Sequence, residues 1–167
     1  MKFCLKTDVF NYHSYEELSK LEEKALKLSE RGISSIIPRI YDPTRLLQPF
    51  ILKGKLILQQ CWVCRSKEGE ALGWDDKLPE EIRNRWLKWL NEIKEAAKFQ
   101  VNRYIFKGLK IIPSRKEVTL HGFADAGETA WGICIYIRFF NPITKLYQSC
   151  LILSFARPAE RWSGAKR

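Results

Sequence analysis

Long apolar runs are missing from this sequence: no uninterrupted stretch approaches the roughly 20 residues that a bilayer span requires. The opening Met1-Lys2-Phe3-Cys4-Leu5-Lys6 lacks the apolar core of a secretory signal. The expectation is an intracellular protein, of cytoplasm or nucleus, with no membrane partner. Paired metal-ligand spacing is also lacking, since His13 and His121 stand far apart. There is no internal repeat and no low-complexity tract. Acidic side chains are outnumbered, with 19 Asp+Glu against 29 Lys+Arg and a formal net charge of +10. That balance favours polyanionic partners, because Lys and Arg gain affinity by releasing counterions from phosphate backbones. The five cysteines are odd in number and follow no export signal, so they read as reduced thiols and not as a disulfide framework. What is present is enough to fold: 46% hydrophobic and 13% aromatic residues over 167 positions suit one domain or two small pieces and exclude a large multidomain enzyme.

The first half carries helical spacing. Ser14 and Glu17 form a capping box before Leu18, Leu21, Ala25 and Leu28, which predicts a helix from Ser14 to Arg31, ended by Gly32. The β-branched run Ile33-Ser34-Ser35-Ile36-Ile37 follows, and a turn is expected at Tyr41-Asp42-Pro43. Leu47, Phe50, Ile51, Leu58, Cys61 and Trp62 predict a largely buried amphipathic helix over Thr44 to Cys64, with Pro49 tolerated in its first turn. A loop is expected from Arg65 to Asp76, with Asp75-Asp76 as a solvated cap region before the next helix. That helix opens at Pro79, with Glu80 and Glu81 at the positive end of its dipole and Ile82, Trp86, Trp89, Leu90, Ile93 and Ala97 as its stripe. Near Phe99 the period shortens towards two. Val101 to Phe106, Val118 to Ala124, Trp131 to Phe140 and Leu146 to Phe155 read as strands, the last two joined by a turn at Asn141-Pro142.

Several groups invite a chemical reading. An apolar strand delivers Asp125 at its end, and a carboxylate so placed suits Mg²⁺ as a first ligand; Asp125-Ala126-Gly127 equally suits an ordinary hairpin turn. Cys61-Trp62-Val63-Cys64 falls at a helix end, unlike the activated thiols that sit at helix starts, and reads best as two packed thiols. Arg83, Arg85 and Lys88 beside Trp86 and Trp89 are candidates for a stacking and phosphate surface, against the alternative of core packing with a solvated basic face.

Three stretches together resemble the pol polyprotein of BEL/Pao-type long-terminal-repeat retrotransposons, including its Pao peptidase family region. Ser34-Ser35-Ile36-Ile37-Pro38-Arg39-Ile40-Tyr41-Asp42-Pro43-Thr44-Arg45-Leu46-Leu47-Gln48-Pro49 is similar to the run that follows the reverse transcriptase palm. Gly73-Trp74-Asp75-Asp76-Lys77-Leu78-Pro79 is similar to the segment opening a connecting helix. His121-Gly122-Phe123-Ala124-Asp125-Ala126, running into Ala130-Trp131-Gly132, is similar to the start of the ribonuclease H domain. They occur in the family's order and cover roughly Glu30 to Ser154.

The resemblance implies an α+β chain: a helical connection segment over 1–112, an incomplete RNase H-like antiparallel sheet over 113–160 and a basic tail over 161–167. Asp125 would match the first catalytic, metal-binding carboxylate of a site whose family uses two Mg²⁺ ions to cut the RNA strand of an RNA–DNA hybrid. Gly127 stands where the family has Ser, the run after Ser154 departs from the family pattern, and the later carboxylates have no match, so Mg²⁺ is expected in the parent family and not stably here. No polymerase Asp-Asp hairpin is present. Expected partners are RNA–DNA hybrid or other nucleic acid and the rest of the pol polyprotein. The leading expectation is a pol fragment inactive by itself; the alternatives are a non-enzymatic nucleic-acid-binding or scaffold module and, further off, an aspartic peptidase built on Asp125-Ala126-Gly127, where Ala126 lacks the bracing hydroxyl. An incomplete sheet should expose apolar surface along Ile133 to Phe139.

Overall fold

The computed structural model describes residues 2–11, 28–43, 45–66, 69–96, 98–107, 109 and 112–159. The chain divides into two compact units, one of Met1–Pro43 with Phe50–Arg103 and the other of Thr44–Pro49 with Tyr104–Arg167. Most of the helix expected from Ser14, and the basic tail 161–167, lie outside the described residues.

In the first unit, three short strands form an antiparallel sheet in the order β1-β2-β3: β1 (Lys2–Cys4), β2 (Val9–Asn11) and β3 (Gln100–Asn102). Asp8 turns the chain with a positive φ of 53°, and its carbonyl and carboxylate receive the Arg103 backbone N–H at 3.1 Å and Nε at 2.6 Å. The expected strand over Val101 to Phe106 is therefore shorter, because β2 offers only three residues to pair with and the chain turns away at Arg103.

Helix α1 spans Glu30–Ile36, capped by Ser29, whose Oγ accepts from Gly32 N at 3.3 Å. This corrects one expectation, since Gly32 lies inside the helix and does not end one, and the β-branched run after it is helical too. Burial decides it, because Ile33, Ile36 and Ile37 fall on one helical face and are almost wholly buried, which outweighs their weak preference for extended backbone. The segment before α3 is tied to this helix. Leu78 N donates to Leu28 O and Arg31 N to Trp74 O, both at 3.0 Å, while the Arg31 guanidinium pairs with Asp75 at 2.8 and 3.1 Å. Asp76 caps its own turn by accepting from Gly73 N at 2.6 Å.

Helix α2 (Gln48–Val63) carries Pro49 in its first turn, and buries Ile51, Gly54, Ile57 and Cys61 at helical spacing. Trp62 at its end is 56% exposed, against expectation, because it points away from that stripe. Helix α3 (Glu80–Ala96) buries Ile82, Trp86, Trp89, Leu90 and Ile93. The two tryptophan rings sit 4.4 Å apart between centroids, and Trp89 Nε1 donates to the Phe50 carbonyl at 2.7 Å. Lys53 pairs with Glu92 at 2.5 Å at the margin of the same contact.

The second unit is a three-stranded antiparallel sheet, in the order β4-β5-β6: β4 (Val118–Ala126), β5 (Ala130–Asn141) and β6 (Leu146–Pro158). Ser114 and Glu117 form a capping box on the 3-10 turn that leads into β4. The first hairpin closes through Gly127 N to Ala130 O at 2.9 Å. Asn141 organises the second: its Oδ1 accepts from Ile143 N at 2.9 Å and Thr144 N at 3.3 Å, and its carbonyl accepts from Lys145 N at 2.9 Å. The chain is thus α+β, with three α-helices among the described residues preceding the long sheet.

Candidate functional site

Side chains alternate across a sheet, so the register assigns each strand residue to a face. Asp125 pairs with Gly132, Phe123 with Cys134, His121 with Tyr136 and Thr119 with Arg138. On β6, Cys134 pairs with Ser154, and past an irregularity between Ile135 and Tyr136 the partners are Leu151 for Tyr136 and Ser149 for Arg138. These residues share one face. A depression of about 520 Å³ opens on it, lined by His121, Phe123, Cys134, Tyr136, Arg138 and Ser149. The Phe123 and Tyr136 rings meet edge to face, 6.0 Å apart between centroids, and the Arg138 guanidinium lies 3.9 Å over the Tyr147 ring. The lining carries a guanidinium, an imidazole, a phenol and no carboxylate, a set that suits an anion beside a flat ring.

Asp125 stands one step further along the same face, beyond the residues that line the depression. It is exposed, Gly132 opposite it offers no side chain, and its Oδ1 accepts from the Ala126 N–H at 3.0 Å. Among the described residues no three His, Cys, Asp or Glu side chains come together as a metal-holding group. A two-Mg²⁺ centre needs several carboxylates around the ions. Asp125 by itself does not fit one.

The opposite face carries a cluster that the sequence reading missed. Arg45 and Arg157 flank the Phe155 ring at 4.7 and 4.8 Å from its centroid, and Trp131 tilts against it at 5.4 Å. Arg45 belongs to this unit through the Thr44–Pro49 segment, whose Arg45 carbonyl accepts from Ser154 Oγ. Arg45 lies more than a hundred residues before Phe155, so no local pattern joins them. Trp131 already opens the strand expected from Trp131 to Phe140, and Arg157 could have been found by carrying the period-two reading of the last strand two residues further, since the two face each other across the ladder.

The expected exposed surface along Ile133 to Phe139 is found only at its start. Phe139 is 1% exposed because the Phe106 ring packs on it edge to face at 4.9 Å. Exposure is greater on the neighbouring strand, at Leu120 (66%) and Phe123 (60%).

Of the helical candidates, Arg85 and Lys88 are exposed on α3 and Arg83 is half-buried, with an Nε that has no hydrogen-bond partner among the described residues. Trp86 and Trp89 are fully buried, so they are core residues and not stacking platforms; the spacing that suggested a surface is that of the inward stripe. The Cys61 thiol donates to the Ile57 carbonyl at 3.3 Å, and burial pushes its pKa up to about 11; burial also raises that of Cys64. Both lie opposite to the activation that a redox pair needs. All five cysteines are free thiols. No described helix is long and apolar enough to cross a membrane.

Comparison with protein families gives one match that spans most of the chain: residues 29–160 fit the Pao retrotransposon-like RNaseH-like domain. The chain belongs to that family. Neither the curated proteins nor the solved structures yielded a match.

Proposed function

We propose that this chain is a nucleic-acid-handling piece of a retrotransposon pol protein that holds an RNA–DNA hybrid on its long sheet and does not cleave it by itself. The observation that carries the reading is the depression lined by His121, Tyr136 and Arg138, with Asp125 one step beyond it on the same face. Arg138 receives a backbone phosphate, and the Phe123 and Tyr136 rings offer flat surface to a sugar or an unstacked base. Arg45 and Arg157 on the other face, and Arg85 and Lys88 on α3, add sequence-independent attraction for phosphate. Asp125 takes the place of the first carboxylate of the family's hydrolytic site, and the remaining carboxylates and Mg²⁺ would come with further parts of the pol polyprotein.

The test is fluorescence anisotropy of a labelled RNA–DNA hybrid across a salt series. Binding that weakens steeply with salt, with a slope reduced by about one on Arg138→Ala, is expected. Absence of binding at low salt would overturn the reading.

A further inference from the structure

The turn between β5 and β6 is a rigid tip. Asn141 accepts the Ile143 and Thr144 N–H groups on Oδ1 and the Lys145 N–H on its carbonyl, and Lys145 closes the loop in the left-handed region at a φ of 59°. Ile143, Leu146 and Tyr147 stand 60%, 65% and 61% exposed there. They do not form one apolar patch. Tyr147 pairs with Phe140 and Leu146 with Asn141, so these two side chains leave the sheet on opposite faces.

Tyr147 shares its face with Arg138, whose guanidinium lies 3.9 Å from the ring centroid, and with Phe140, whose ring meets it edge to face at 5.4 Å. The cation holds one side of the ring and the residue is still 61% exposed, so ring surface remains for a planar ligand. Further cations gather at the same end of the sheet. Lys145 stands in the turn, and because Val118 pairs with Phe139, Arg115 and Lys116 enter β4 beside the tip; all three are exposed. The carboxylate of that entry segment, Glu117, is committed to the Ser114 cap, whose N–H it accepts at 2.8 Å. On β5, Phe140 lies eight residues beyond Gly132, the partner of Asp125, which sets the tip roughly 26 Å from the level of that carboxylate.

We propose that this tip is a separate contact for single-stranded nucleic acid, in which Tyr147 stacks on an unpaired base while Arg138, Lys145, Arg115 and Lys116 hold the phosphates around it. A ring backed by a guanidinium and bordered by cations suits a single strand, since every base has a flat face and every nucleotide a charge. A duplex has its bases already stacked on one another and gains only from the cations. The ring therefore selects unpaired segments, such as an overhang of a bound hybrid. An acyl layer fits the tip less well, because Tyr147 would carry the Arg138 charge in with it. The inference rests on reading the chain as a nucleic-acid-handling protein.

Fluorescence anisotropy of the full chain with a labelled single-stranded RNA of about ten nucleotides, and in parallel with a blunt RNA–DNA hybrid, tests it. Tyr147→Ala should weaken single-strand binding about five- to 150-fold and leave blunt-hybrid binding within about two-fold. Tyr147→Phe keeps the ring and should bind both as the wild type does. With 5-iodouracil in the single strand, photocross-linking read by mass spectrometry should map to Tyr147. Single-strand binding indifferent to Tyr147→Ala, or a cross-link confined to other residues, would overturn the proposal, as would binding to phosphatidylserine vesicles in place of the single strand. A chain that binds the hybrid and no single strand would overturn this inference and leave the proposed function standing; a chain that binds neither would overturn both.

Discussion

Gly54 on α2 lies directly against the indole of Trp89 on α3. A Cβ built on Gly54 would stand 2.5 Å from Cζ2 and 2.7 Å from Cε2 of that ring, closer than any real contact allows. The missing side chain is what lets the Trp89 indole reach the Phe50 carbonyl at 2.7 Å and bury itself fully. The packing of these two helices therefore depends on a glycine that helix propensity alone would replace.

Gly54→Ala should destabilise the chain even though alanine is favoured over glycine in a helix by about 1 kcal/mol. The overpacking cost of about 1–3 kcal/mol opposes that gain and exceeds it, because both rigid partners are buried. Urea unfolding should show a lower midpoint with an unchanged slope.

Trp89→Phe keeps most of the apolar volume but leaves the Phe50 carbonyl without its indole donor. A loss of about 1–3 kcal/mol is expected, against about 3–5 kcal/mol for Trp86→Ala, which opens a cavity in the same stripe. Thermal melts of the two variants should rank in that order.

Cys61 makes stability depend on alkaline pH. Burial holds its folded-state pKa at about 11, above the ordinary 9.0, so the folded state retains a proton that the unfolded chain gives up first. Its contribution is complete below pH 9 and is lost as the pH rises towards 11. Cys61→Ala should flatten the fall in unfolding midpoint over that range, and Cys61 in the wild type should be alkylated more slowly than the half-buried Cys4, whose pKa is lowered by its hydrogen bonds to Thr7.

Asn141 is 5% exposed and supplies three acceptor contacts to the turn between β5 and β6. Asn141→Ala should cost about 1–3 kcal/mol through the unsatisfied N–H groups of Ile143 and Thr144. Asn141→Asp keeps the acceptor and should recover most of the loss in the same unfolding experiment.

What the sequence makes legible is what depends on its nearest neighbours. The α3 stripe from Ile82 to Ile93, Pro49 at the start of α2, and β4 to β6 to within about three residues all follow from periodicity and turn residues. The Ile33–Ile37 run misleads because its helical state is set by burial and by the Ser29 cap. Strands β1 and β2 are three residues each, too short for alternation to register. At the site, Asp125 and its strand are visible from the motif. The depression around Arg138 needs the β5–β6 register and its irregularity, and the Arg45–Phe155 contact joins residues far apart in the chain.

The most direct test of the central claim is incubation of the full chain with end-labelled RNA–DNA hybrid and Mg²⁺ at a concentration where anisotropy shows the hybrid bound. The account expects bound, full-length RNA for the wild type and for Asp125→Asn alike. RNA cut by the wild type and left intact by Asp125→Asn would contradict it.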